Sequence, residues 1–453
     1  MLFKKAEKIK GEGGIKFMAQ ATTSALKEVR PFGMEPEKGR WLLVVVCMII
    51  NLVLGSIYSW SVFVKPLTDY YTGKGMTVTA SDAQWPFSVF LAFFAIFMPL
   101  TGKYIQKYGP RNVALVGGVL CGLGWLLASI SPSIPVLYVT YGVIGGIGVG
   151  IAYGCPINVA TKWFPDKRGL AVGLALFGFG FSAFVTANLA NMLIGSVGLM
   201  NTFRYFGIAF IVLSILLALP LSFPPDGWAP RGWKPAPPKP GAVTCECDRG
   251  AMVRTATFYG LWICFFIGCL AGLMAIGIAK PVGVEAFQIQ SGLATMLVGV
   301  FAIFNGGGRP LFGVLNDKLT PRNSALIAFA LIAIASALMF WFAAPGATAI
   351  YIIAFAILWA CLGGWLAIAP AATASYFGMC DYARCYGIVF LAYGAGAIAG
   401  PQLAGFIKGS TGSYLSVFPY VMGLAVVGFI VAILLMKPVK QAPAAKPAKA
   451  AKK

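Results

Sequence analysis

An arginine, Arg309, interrupts an apolar run in the stretch FNGGGRPLFGVLNDKLTPRN, which begins at Phe304. A guanidinium near the centre of a membrane-spanning helix costs about 2.5–3.5 kcal/mol on insertion scales, so it needs a partner. Its planar fork matches a carboxylate in a bidentate pair. The chain has 14 acidic residues, from Glu7 to Asp381, and all of them fall outside the apolar runs. Asp317 follows two turns later, which sets Arg309 about 12 Å in from the end of its helix. With no acid of the chain at that depth, Arg309 invites a small organic anion from outside. The competing uses are to snorkel toward the interface or to hold a neighbouring carbonyl. Asn305, one turn earlier, shares the same helix face.

Other polar and aromatic residues sit at similar depth. Asn51 and Tyr58 are seven apart and are expected on one face. Tyr153, Trp365 and Tyr393 are expected to close on the same ligand. One cation and a phenol neutralise a monoanion, whereas a dianion would keep one carboxylate unpaired at a cost of several kcal/mol. Glu285, at the end of an apolar run, is the candidate for moving a proton. No catalytic set, cofactor motif or metal site is expected. The chain has no histidine, its ten cysteines are scattered, and GGGRP lacks both the preceding strand and the lysine of a phosphate-binding loop. An enzyme is disfavoured on these grounds.

The elements that must position these residues are membrane helices. Hydrophobic residues make up 59% of the chain and charged ones 11%, against about half and a quarter in soluble domains. Apolar runs of spanning length are expected at 41–66, 84–104, 113–131, 136–162, 170–194, 204–223, 256–279, 291–314, 324–343, 348–376, 386–407 and 415–436. The net charge of +21 resides in loops and tails. That pattern is a topology signal with lipid as the contact, not a nucleic-acid surface. Basic residues recur on alternate loops, so twelve spans with both termini cytoplasmic are expected, in the cell inner membrane, without a cleaved leader. The organisation expected is a cytosolic tail 1–40, a six-helix bundle 41–223, a Pro/Gly-rich linker 224–255, a second bundle 256–436 and a basic tail 437–453. A monomer is expected.

The two halves repeat. GKYIQKYGPRN from Gly102 aligns with GVLNDKLTPRN from Gly313, VKPL from Val64 with AKPV from Ala279, and FGFG at Phe177 with YGAG at Tyr393. Met98 then stands where the second half has Arg309, with Pro99 and Pro310 in register, so the architecture itself does not require the arginine. In YGVIGGIGVG, Gly142, Gly146 and Gly150 give the small-xxx-small spacing of close helix contact.

Two six-helix repeats joined by a linker resemble the major facilitator superfamily. More narrowly, GSIYSWSVFVKPL, KWFPDKRGLAVGL, PPDGWAP, GGGRPLFGVLNDK and YGIVFLAYGAGAIAGP resemble the oxalate:formate antiporter family. The resemblance implies an all-α fold and alternating access, and that the arginine of span 8 binds the substrate carboxylate. It also implies a conformational latch at Gly102, Lys107 and Arg111 and at Gly313, Asp317, Lys318 and Arg322; Gln106 replaces the acid in the first copy. Two departures bear on substrate. The oxalate-carrying relative has a lysine at the position of Tyr393, and proton-linked monocarboxylate carriers have an aspartate at that of Asn305. The expectation is a secondary carrier of monocarboxylates such as lactate, pyruvate, glycolate or formate, by proton symport or anion exchange. The alternatives are a dicarboxylate:formate antiporter and, more remotely, a non-transporting anion sensor.

Overall fold

The computed structural model describes residues 31–225, 228–233, 249–378 and 382–437. Cys245, Cys247 and Cys380, the last two tail segments 1–30 and 438–453, and most of the linker lie outside the described residues. Among the described residues, eleven helices are long and apolar enough to cross a membrane. One of them, Ala80–Ala128, has 49 residues, or about 74 Å at helical rise, more than twice a hydrocarbon core. It doubles back at Gly109 (φ 81°, ψ 160°), a conformation that glycine adopts without a Cβ penalty, and Pro110 starts the return. Both arms pack on one helix, since Gly150 meets Phe97 while Gly148 meets Cys121. This helix is therefore spans 2 and 3, and the described residues hold twelve spans.

Span 1 is Pro36–Leu54, a 3-10 segment Gly55–Ser59, and Ser61–Thr72. It begins five residues before the expected boundary, because Pro36 opens a helix without losing a needed N–H. Span 4 is Ile134–Trp163, with a π-helical stretch at Tyr138–Gly145. Spans 5 and 6 are Arg168–Val197 and Leu199–Ala218. Spans 7 to 12 are Ala256–Glu285, Ser291–Lys318, Pro321–Trp341, Thr348–Phe377, Tyr382–Thr411 and Phe418–Leu435. In hydrocarbon each backbone polar group must be satisfied within its own segment, which is why the apolar runs resolve as long helices.

The halves meet along two seams. On one, span 2 lies on span 11: Ser81 against Gly405, Ala95 against Gly394 and Pro99 against Gly387. On the other, span 5 lies on span 8, with Phe184 against Gly299 and Gly180 against Gly306. A Cβ on Gly180 would stand 2.7 Å from the Gly306 Cα, so these backbones touch only because neither residue carries a side chain.

At the end bearing the basic loops, Arg40 is buried, with 5% of its surface exposed. It donates to Asp166 (Nη1–Oδ1 2.7 Å, Nη2–Oδ2 3.1 Å) and to the Trp163 carbonyl (3.2 Å), and it pairs with Glu37 at 2.9 Å. Its guanidinium also lies over the rings of Phe164 and Trp228, which fastens the start of the linker to spans 1 and 4. Burial opposes ionisation of Asp166, but the bonds and charge of Arg40 outweigh it and hold the carboxyl pKa below its usual value. The stabilisation is complete above the unfolded-state pKa near ~4 and is lost as pH falls through the depressed folded-state pKa. Asp166→Asn is expected to cost about 1–3 kcal/mol at neutral pH, because Glu37 remains as partner. Thermal unfolding of both proteins against pH checks it: the gap must close on acidification, and a gap that persists at low pH contradicts the pair.

Candidate functional site

Arg309 lies on span 8 where three glycines precede it, and Gly306 draws span 5 against that face. The side chain is 4% exposed. Nη1 donates to the carbonyl of Leu176 on span 5 at 2.9 Å, so the contact crosses between the halves. Nε and Nη2 make no hydrogen bond of good geometry, although the Tyr153 hydroxyl comes close enough to interact with the group, and no carboxylate pairs with it among the described residues. The carbonyl therefore occupies one corner of the guanidinium, while Nε–H and Nη2–H, the edge that grips a carboxylate side-on, both lack a well-formed hydrogen bond. Buried unsatisfied donors cost about 1–3 kcal/mol each, more when charged. The Phe179 ring faces the guanidinium with its centroid 5.7 Å from Cζ, a favourable cation–π contact in a dry site.

Around this edge stand aromatic rings from both halves. Tyr58 and Tyr393, each fully buried, share a hydrogen bond of 2.9 Å between their hydroxyls. Phe94 packs on Tyr153, Phe179, Phe390 and Tyr393, at centroid distances of 5.0, 5.9, 5.6 and 5.7 Å. Tyr58 and Tyr153 both meet Phe179 edge-on. The hydroxyls of Tyr58, Tyr153 and Tyr386 lie near enough to Arg309 to feel its charge. One cation, phenols that can donate to an anion, and phenyl rings form a closely packed cluster whose chemistry suits a small anion with an apolar remainder.

Arg309, Tyr58, Tyr153 and Tyr393 thus come together from spans 8, 1, 4 and 11. Others do not. Asn305 faces the seam: Nδ2 donates to the Trp359 carbonyl at 3.1 Å, and its side-chain oxygen lies against Gly180. Asn51 stands behind the site, donating to the Ala175 carbonyl at 2.9 Å, one residue from the carbonyl that Arg309 holds. The 3-10 segment Gly55–Ser59 explains this, because each of its residues turns the chain about 20° further than an α-helix does. Over that segment Tyr58 rotates off the face of Asn51. Trp365 packs on Phe329 at 5.1 Å, on Phe265 at 6.3 Å and on Gly268 inside the second half, and Phe265 separates it from Phe390. Glu285 pairs with Lys408 at the end opposite the basic loops.

The latch residues do not form the expected charged contact. Asp317 makes no ion pair among the described residues, and Arg322 donates to the Ile433 carbonyl at 2.8 Å. In the first half, Gln106 accepts from Lys162 at 3.0 Å, so a neutral amide takes the place of the acid. Gly102 and Gly313 have open space where a Cβ would stand; Lys107 and Lys318 are exposed, as is Arg111. Sequence reasoning missed Phe94, Phe179, Phe390 and Tyr386, because aromatics are 14% of the chain and carry no mark of direction. The Leu176 carbonyl leaves no signal in a sequence at all.

Comparison with known proteins gives the family and the fold. The pattern of the Major Facilitator Superfamily matches residues 40–379 and 261–453. The chain is 31% identical over 376 residues to the oxalate:formate antiporter of Oxalobacter formigenes, covering 82% of this chain and 86% of that one. It is 27% identical over 370 residues to apicoplast pyruvate carrier 1 of Toxoplasma gondii, covering 69% and 67%. Among solved structures, a bacterial homologue of the human lysosomal transporter Spinster, in an inward-facing conformation, superposes with a TM-score of 0.66 at 15% identity, covering 89% of this chain and 99% of that one.

Proposed function

The chain belongs to the major facilitator superfamily and, within it, to the oxalate:formate antiporter family; from that premise we propose that it exchanges small monocarboxylates across the membrane. It is a multi-pass transporter, and its relatives carry oxalate and formate or pyruvate by name. The observation that carries the finer reading is the Nε–Nη2 edge of Arg309, buried among aromatic rings without a well-formed hydrogen bond. A monocarboxylate completes that edge and leaves no charge over. Its short apolar remainder, as in lactate or pyruvate, meets Phe94, Phe179 and Phe390. Tyr393 can donate a hydrogen bond but no charge, so oxalate would enter with one carboxylate uncompensated.

Exchange is favoured over proton symport. Arginine stays protonated at any working pH, so a carrier returning without substrate must bury an unpaired guanidinium, at several kcal/mol. A loaded carrier moves a neutral pair instead. No histidine exists in the chain, and Glu285 is engaged with Lys408. The positive-inside rule places the basic loops in the cytosol. Counterflow in proteoliposomes is the test. Labelled lactate is expected to accumulate at least about tenfold faster into vesicles preloaded with lactate than into unloaded ones, an advantage of roughly 1.4 kcal/mol. A pH gradient that drives equal uptake into unloaded vesicles overturns exchange, and no flux of any monocarboxylate overturns the substrate class.

A further inference from the structure

At the end opposite the basic loops, a cavity of about 570 Å³ opens between the halves. Lys65, Lys280 and Lys408 line it, with Asp69 and Glu285, so one positive charge remains uncompensated. Lys65 and Lys280 are the repeat-related lysines of VKPL and AKPV, yet their situations differ. Lys65 is exposed and pairs with Asp69 at 3.0 Å. Lys280 has Val284 at the corresponding position, and Glu285 next to it is taken by Lys408. Lys280 is half-buried and makes no ion pair among the described residues. Its ammonium is held by the Asn191 side-chain oxygen at 2.7 Å, which also accepts from Thr295 at 3.2 Å. With that oxygen committed, the amide N–H groups are what Asn191 retains for a ligand, and donors suit an anion. Deeper in the lining, the hydroxyl of Ser61 is buried without a partner. Ser61 is three residues on from Tyr58, so about 5 Å of helix separates the cavity floor from the Tyr58–Tyr393 bond.

We propose that this cavity is a second carboxylate station, in which Lys280, positioned by Asn191, receives the substrate before it passes Tyr58 and Tyr393 to Arg309. The assignment of a carboxylate as its ligand rests on the function proposed above; the site itself rests on the cavity and on the unpaired lysine. In both stations the second half supplies the uncompensated cation, where the first half has Met98 in one case and a neutralised Lys65 in the other. A cleft with one net sign raises the local concentration of the opposite ion by about tenfold or more, and a small anion gains most because it fits beside the ammonium.

Lysine acylation tests this. Wild type and Arg309→Met, each in lipid nanodiscs, are treated with the N-hydroxysulfosuccinimide ester of acetate, and the modified peptides are quantified by mass spectrometry. Millimolar lactate, against chloride at equal ionic strength, is expected to slow acylation of Lys280 by about fivefold in both proteins and to leave Lys65 unchanged. Lys280→Gln is expected to raise the lactate concentration that half-saturates wild-type counterflow by a similar factor, and Lys280→Arg to restore it. An acylation rate of Lys280 that lactate does not alter overturns the station while leaving the function intact. Protection that vanishes in Arg309→Met also overturns it, because closure on the central site would then be the cause. Protection without any lactate flux in wild type sinks the proposed function and keeps the anion site.

Discussion

Arg309→Lys is expected to lower the proposed carboxylate exchange by about 30- to 1,000-fold, corresponding to roughly 2–4 kcal/mol. Lysine keeps the charge, so any long-range attraction for the anion survives. What it loses is the flat edge formed by Nε and Nη2, which in the wild type makes no hydrogen bond of good geometry to the protein and can take two oxygens at once. It also loses the Nη1 bond to the Leu176 carbonyl, which keeps that edge from rotating. An ammonium in the same place must choose between the carbonyl and the substrate. Arg309→Met separates binding from folding. Methionine occupies the repeat-related position as Met98, so the bundle accepts it there, and thermal unfolding without substrate should stay near wild type or rise as a buried charge is removed. Lactate should then stabilise the variant less than it does the wild type, with only the Lys280 station left to bind it. Exchange by Arg309→Lys at half the wild-type rate would rule out the bidentate pair.

That this arginine could be found in the sequence at all follows from cost. A charge in an apolar run is unfavourable enough to be rare, and the internal repeat supplied a control in Met98. The same repeat exposed the fold, because Gly109 and Pro110 recur in register with Thr320 and Pro321, and each pair turns the chain between two helices. Residues whose identity carries no such cost were harder to place. Tyr58, Tyr153 and Tyr393 join the ring cluster beside Arg309, yet Trp365, at a comparable depth, packs on Phe329 and Phe265 instead. Depth fixes height along the membrane normal, whereas facing depends on helix rotation, which the 3-10 segment of span 1 shifts by an amount no spacing rule supplies. Lys280 illustrates the complementary case. Its sequence repeat with Lys65 is plain, but the difference between a paired and an unpaired ammonium lies in the Lys408–Glu285 contact, which joins residues far apart in the chain.

Tyr393→Lys is expected to raise the preference for oxalate over lactate by at least about tenfold, or roughly 1.4 kcal/mol. In the wild type the second carboxylate of oxalate would face the hydroxyls of Tyr58 and Tyr393, which offer hydrogen bonds but no charge. An ammonium at that position supplies the charge, and Tyr58 can accept its hydrogen bond. The same change places two cations in one ring cluster. The unloaded protein should therefore be less stable than wild type, and oxalate should stabilise it more than lactate does. Tyr393→Phe isolates the two contributions: the ring contacts with Phe94 and Phe390 are kept, the hydroxyl is lost, and the oxalate-to-lactate ratio should hardly move. If the lysine variant also leaves that ratio unchanged while remaining folded and active, charge count does not set selectivity. The second carboxylate would then have to find its donors elsewhere, with the hydroxyls of Tyr153 and Tyr386, which also interact with Arg309, as the candidates.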